Sequence, residues 1–248
     1  MGTVAVGLTM SPVERRSAAM RSTVVLKAAM AVSGLIMIAF LLVHMYGNFK
    51  AFQGQVAFDR YAQFLRTGGE PMLPYSGALW VFRFVLIVSV LTHIFAALTL
   101  WRRSRRATGG RGGGRYESSR SPRGVQRTYA SFTMRWGGVT VALFVVYHLL
   151  NLSADNVIHP GGRSGSPYLR LVHSFQIWWV VASYTVALIA LGLHIRHGFW
   201  SAFASLGANT SVRRRRHLNV AATFIALLMT IGFLVTPYAV LVGWVNDR

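Results

Sequence analysis

The chain has no cysteine. It can form no disulfide, and it cannot by itself complete a thiolate zinc site or a Cys-ligated iron–sulfur cluster. Histidine is left as the metal-ligating side chain. Acidic residues are nearly as scarce, 6 Asp and Glu against 26 Lys and Arg in 248 residues, which gives a formal net charge of +20. An excess of that size first suggests a nucleic-acid partner. Charged residues together make up only 13% of the chain, however, against 53% hydrophobic residues and a mean hydropathy of +0.43. A soluble domain of this size needs more polar surface, whereas a protein whose solvent is largely lipid does not.

Stretches free of Asp, Glu, Lys and Arg run over 28–49, 84–101, 136–154, 171–195 and 217–246. Each is close to or above the roughly 20 residues with which an α-helix crosses a bilayer. The expected fold is therefore an all-α, multi-pass membrane bundle of five transmembrane helices in a single domain covering 1–248. The helices are expected near 27–49, 77–101, 131–154, 171–197 and 217–244, with an Arg/Gly-rich loop over 102–130. The first apolar run is followed by no clean small-residue cleavage site, so it reads as a retained helix and not as a signal peptide.

Charge sets the orientation. With the N-terminus in the cytoplasm, 19 of the 26 basic residues fall on that side, including the ten arginines from Arg102 to Arg135 and the run Arg213 to Arg216. The other side holds Lys50, Arg60, Arg66, Arg83, Arg163, Arg170 and Arg248. This is the positive-inside bias, with the N-terminus in and the C-terminus out, and it removes the need for a nucleic-acid partner. The Arg/Gly/Ser loop after Trp101 lacks apolar periodicity and reads as a solvated cytoplasmic segment touching anionic lipid, or as a docking contact for a soluble subunit. In the outer loop over 50–76, VAFDRYAQFLR has an amphipathic helical pattern and TGGEPMLP then breaks it.

Four histidines, His44, His93, His148 and His194, lie inside four different spans, where an ionisable residue is costly and usually functional. At ~1.5 Å per residue, His44 falls about 25 Å along the first helix from Lys27, and His148 about 20 Å past Arg135. Both are near the outer face. His93 falls about 12 Å before Trp101, and His194 a few ångströms before Arg196. Both are in the inner half. Two imidazoles presented from different helices at one depth can ligate one iron axially, and bis-imidazole ligation leaves no open position for oxygen or substrate. The expectation is two haems b, stacked across the membrane. Taken singly, each histidine could instead hydrogen-bond across helices or line a proton path. His159, His173 and His217 read as surface or cap residues. His197 shares the face of His194 and is a candidate contact to a haem propionate or a quinone.

The local sequences add a resemblance. The first span, KAAMAVSGLIMIAFLLVHMYGNFKAF, together with HIFAALTLW at His93, YHLLNL at His148 and HIRHGFWSAFASLG from His194, resembles the single-chain cytochrome b anchor of the succinate:quinone oxidoreductases, the succinate dehydrogenase and fumarate reductase family. The resemblance covers nearly the whole chain. It implies a five-helix anchor in the cytoplasmic membrane that holds two haems b and binds a flavoprotein and an iron–sulfur subunit at its cytoplasmic face. It further implies that His93 and His194 hold the haem proximal to the iron–sulfur subunit, that His44 and His148 hold the distal one, and that electrons from succinate pass to a membrane quinone, with menaquinone the expected species. The chain itself would carry no succinate site.

Haem propionates call for positive or hydrogen-bonding partners. Arg83 is the candidate on the distal side, with snorkelling to the interface as its plain alternative, and Lys27, Arg135 and Arg196 are candidates on the proximal side. Quinone reduction takes up protons, and Glu70 and Asp155 are the carboxylates near outer span ends. In some dihaem relatives a carboxylate at the start of the second helix serves a distal menaquinone, so Glu70 is the candidate proton group. Trp80, Trp178 and Trp179 could flank a quinone or belong to an interfacial belt. Competing accounts are a haem-free anchor whose histidines complete a partner's redox centre, a histidine-relay transporter, and a dihaem cytochrome serving other subunits.

Overall fold

In the computed structural model, residues 22–109, 125–153, 158 and 160–247 are described, with backbone alone at 107–109 and 125–133. Among them there are helices and no strand. The chain runs through α1 (Thr23–Phe49), a 3-10 turn (Lys50–Gln53), α2 (Gln55–Thr67), α3 (Gly77–Gly109), α4 (Val125–His148), a π-turn (Leu149–Ser153), α5 (Pro167–Phe175), α6 (Trp178–Ser205) and α7 (Val212–Leu241). Five of these segments are long and apolar enough to cross a membrane: Thr23–Gln53, Gly77–Arg106, Met134–Ser153, Trp178–Ser205 and Val212–Leu241. The chain is a multi-pass membrane bundle, and large side chains such as Phe82, Leu91 and Phe95 stand exposed on α3, where lipid takes the place of a protein core.

The helix ends depart from the expected ones for identifiable reasons. The stretch 171–197 is not one helix. Ser166 caps a short α5 with Pro167 in its first turn, the helix stops at Gln176, and Ile177 is extended before α6 begins. His173, Ser174 and Gln176 carry no formal charge, so a charge-free run passes through the break unnoticed. The loop expected over 102–130 is shorter than that, because α3 continues to Gly109 and α4 begins at Val125. Arginine is a good helix former, and a helix need not end where the apolar stretch does. Residues 110–124 lie outside the described residues, as do the N-terminal 21, Asp155 and His159. The amphipathic segment of the first outer loop forms α2.

In the bundle, α1 packs on α3, α6 and α7, and α6 packs in addition on α4 and α7. The helices α1, α3, α4 and α6 thus occupy the corners of a four-helix core, and α7 lies outside against α1 and α6. The close approach of α6 to α7 depends on Gly192, where a Cβ would collide with the Thr230 hydroxyl. Likewise Gly232 of α7 gives room to the Met45 sulfur of α1.

The two ends of the bundle are built differently. At the end that holds the N-terminus of α1, Lys27, Arg102, Arg103, Arg105, Arg106, Arg135, Arg196 and Arg213 to Arg216 gather. The opposite end is closed by a cap. Asp59 of α2 accepts hydrogen bonds from the Ser166 hydroxyl at 2.6 Å and the Tyr168 N–H at 3.1 Å, placing a carboxylate on the first turn of α5. The Tyr168 hydroxyl donates to the Asn246 carbonyl at 2.7 Å, and burial together with nearby Asp247 pushes its pKa up, so the donor proton stays on. Under this cap Tyr168, Leu171, Val172 and Phe175 of α5 join Val180, Val181 and Tyr184 of α6 and Ala239, Val240 and Val245 in the larger core cluster.

Candidate functional site

The four intramembrane histidines come together as two pairs across the diagonals of the four-helix core. The rings of His44 on α1 and His148 on α4 have centroids 5.7 Å apart. Those of His93 on α3 and His194 on α6 are 6.2 Å apart. In α1 and α4 a glycine precedes the histidine by ten residues, Gly34 and Gly138, and each lies beside the imidazole of the other pair. A Cβ at Gly34 would stand 3.3 Å from His93 Cε1, and one at Gly138 would stand 3.4 Å from His194 Cε1. Ten residues of helix is about 15 Å, which is the spacing between the two levels.

The surroundings settle tautomers. His93 Nδ1 lies 3.1 Å from the Met30 carbonyl, an acceptor only, so Nδ1 carries the proton and Nε2 keeps its lone pair. The Ser33 hydroxyl donates to the Ala29 carbonyl at 2.7 Å and lies 3.4 Å from the same nitrogen. His148 Nδ1 is 3.2 Å from the Tyr184 hydroxyl, and that hydroxyl is 3.2 Å from Asn151 Oδ1. Asn151 Nδ2 in turn donates to the Ile158 carbonyl at 3.4 Å, so its oxygen faces Tyr184. Tyr184 must then donate to Asn151 and accept from His148, which again leaves Nε2 unprotonated. His194 Nδ1 is buried without a hydrogen-bond partner among the described residues. His44 stacks on Phe40 at 5.4 Å with planes 10° apart and lies 5.7 Å from Phe233.

These features fit haem. No group of three or more His, Cys, Asp or Glu is close enough to share a metal among the described residues. Each pair offers two imidazoles, so a metal held there must bring its remaining donors with it, as a porphyrin does. Two imidazoles bound to opposite faces of one iron at about 2 Å per bond have centroids about 6 Å apart, which matches both separations. Gly34 and Gly138 let the α1 and α4 backbones approach the His93 and His194 imidazoles closely.

The other sequence candidates sit as follows. Arg83 is exposed, its guanidinium 4.9 Å from the Trp80 ring centroid, on the outside of α3. Glu70 is exposed in the turn before α3, its N–H donating to the Thr67 carbonyl. His197 is half-buried one turn beyond His194. Arg196 Nε donates to Thr223 at 3.3 Å, Arg135 lies over Trp101 at 5.9 Å, and Lys27 lines a cleft of about 370 Å³ with Val24, Ser201, Ala204 and Ser205. Trp178 is exposed at the start of α6 beside Trp179. Sequence reasoning missed Tyr184, Asn151, Gly34 and Gly138. The signals were present: Asn151 follows His148 by three residues on one helical face, and the Gly-to-His spacing of ten recurs in two spans.

Comparison with known proteins brings no name: no family model, no curated protein and no solved structure matches the chain. Fold and site define a class, a helical multi-pass membrane protein with two interior imidazole pairs at two depths.

Proposed function

We propose that the chain is the dihaem cytochrome b anchor of a succinate:quinone oxidoreductase, passing electrons from an iron–sulfur partner subunit to a membrane quinone. The observation that carries this reading is the two diagonal histidine pairs with ring separations of 5.7 and 6.2 Å. The four local sequences that resemble the family's anchor add the partners. In this reading the N-terminus is cytoplasmic, the protein lies in the cytoplasmic membrane, and the basic end of the bundle faces the flavoprotein and iron–sulfur subunits. Succinate is oxidised by the flavoprotein and not by this chain.

When bound, haem b supplies reversible one-electron chemistry. The chain's own part is to hold and insulate it. His93 and His194 would hold one haem at the level nearer the basic end, and His44 and His148 would hold the other. With two imidazoles engaged at each level, a bound haem would serve electron transfer and offer no open position for oxygen. The Met30 carbonyl and the Tyr184 hydroxyl hold the protons of His93 and His148 on Nδ1. Glu70 is the candidate proton group for a menaquinone near the capped end, and His197, Arg83 and Lys27 are candidate contacts to quinone or propionate.

A dithionite-reduced minus oxidised spectrum of the purified protein, with haem counted as the pyridine haemochrome, tests the proposal. Two b haems per chain are expected. An absence of haem would overturn it in favour of a histidine relay, which the His148–Tyr184–Asn151 hydrogen-bond chain would also suit.

A further inference from the structure

Asn151, Tyr184 and His148, at the contact of α4 with α6, form one chain of hydrogen bonds that ends on an imidazole. Asn151 is 1% exposed and Tyr184 is 4% exposed. An asparagine inside a membrane bundle is costly unless its amide is satisfied, and this one is satisfied on both sides, by Tyr184 at its oxygen and by the Ile158 carbonyl at its nitrogen. The π-turn that follows His148 widens the helix where Asn151 sits. The Tyr184 ring is held edge-on between Phe144 at 4.8 Å and Phe175 at 4.9 Å. Its hydroxyl therefore has one position, 3.2 Å from His148 Nδ1.

We propose that Tyr184 is a positioning residue for the iron ligand His148, fixing the imidazole's rotation and tautomer and, with Asn151 behind it, making the imidazole a stronger donor to the metal. The inference rests on the dihaem reading of the histidine pairs and goes beyond it by assigning a residue outside the ligand set. A hydrogen-bond acceptor on the far nitrogen of a metal-bound histidine orients the ring and increases electron donation from the near one. Stronger donation favours the ferric over the ferrous state and lowers the midpoint potential. Tyr184 is specific to one level, because His194 Nδ1 lacks such a partner among the described residues and His93 uses a backbone carbonyl that no side-chain substitution removes. The competing role is that Tyr184 and Asn151 only join helices, as buried polar groups in membrane bundles commonly do.

The test is redox titration and low-temperature EPR of the purified holoprotein, wild type and Tyr184→Phe. Phenylalanine keeps the ring between Phe144 and Phe175. The expected result is two haems per chain, an upward shift of one midpoint potential, and a changed g value for one low-spin ferric centre, with the other centre unmoved. In a His194→Ala background, where only the His44/His148 site remains, the same shift is expected for the single haem. Asn151→Leu should shift it in the same direction by less. Two haems with both midpoints and both EPR signals unchanged in Tyr184→Phe would overturn the inference and leave the dihaem reading intact. Loss of both haems would overturn it too, by showing a general structural role. A wild-type protein without haem would overturn the functional reading on which it rests.

Discussion

The two imidazole pairs have nearly the same ring separation and very different surroundings. Around His44 and His148 lie Phe40, Phe144, Phe233 and Tyr184, beneath a cap in which α2, α5 and Asn246 interlock. Around His93 and His194 lie glycines, a serine and a backbone carbonyl, and the basic end of the bundle beyond them is lined by exposed arginines. One level is fixed by aromatic packing and a side-chain hydrogen-bond network. The other is fixed by the absence of side chains, which lets helices and rings approach. The two levels thus reach similar ring separations by different packing.

Removing a ligand should separate the levels most sharply. His148→Ala and His44→Ala are each expected to remove one haem of two while the pair on α3 and α6 keeps its own. His93→Ala and His194→Ala should remove the other haem and bring quinone reduction to background, with succinate oxidation by the flavoprotein still measurable using an artificial acceptor. Haem stoichiometry and quinone reductase assays decide this; full quinone reductase activity in His194→Ala would take that residue out of the ligand set. A step smaller is Gly34→Leu. The added side chain must displace the His93 ring, and overpacking of this kind costs about 1–3 kcal/mol. At ~1.4 kcal/mol per factor of ten, haem retention at the His93/His194 level should weaken about tenfold, read as faster loss to apomyoglobin. An equal loss from both levels would erase the distinction between glycine-built and aromatic-built sites.

Much of this was legible in the chain. Apolar length marks the five spans, and helical rise puts His44 and His148 at one level and His93 and His194 at another. The break at Gln176–Ile177 was not legible, because it lies among uncharged residues and is created by the docking of α5 under Asp59, a contact 109 residues away in sequence. The diagonal placement of the pairs was hidden for the same reason: depth along each helix says nothing of which helices are neighbours. Tyr184 read as one more aromatic in an apolar span. Only its proximity to Asn151 and His148 distinguishes it, and that depends on how α4 rotates against α6.

The capped end can be loosened without touching a ligand. Asp59→Ala leaves the Ser166 hydroxyl and the Tyr168 N–H without their carboxylate, at about 1–3 kcal/mol for charge-assisted hydrogen bonds. On heating, absorbance from the His44/His148 haem should then be lost several degrees earlier, while the His93/His194 haem keeps its wild-type transition. Simultaneous loss of both would show that the two levels unfold as one unit.

The smallest effect is expected at the basic end, and its smallness is informative. Arg103 is half-buried, and the hydrogen bond it donates to the Thr23 hydroxyl at 3.2 Å across the α3–α1 contact lies at an exposed site. A hydrogen bond at an exposed site competes with water, and surface substitutions usually change stability by no more than about 0.5 kcal/mol. Arg103→Ala should therefore leave both haems and both thermal transitions in place. If the basic end serves as a docking face, the same substitution should still lower the salt concentration at which the flavoprotein and iron–sulfur subunits dissociate, since interactions between exposed charges are screened over about 10 Å at 0.1 M salt. Unchanged salt sensitivity after Arg103, Arg105 and Arg106 are replaced together would mean that the arginines act on topology alone, and the two ends of the bundle would then differ in packing but not in partnership.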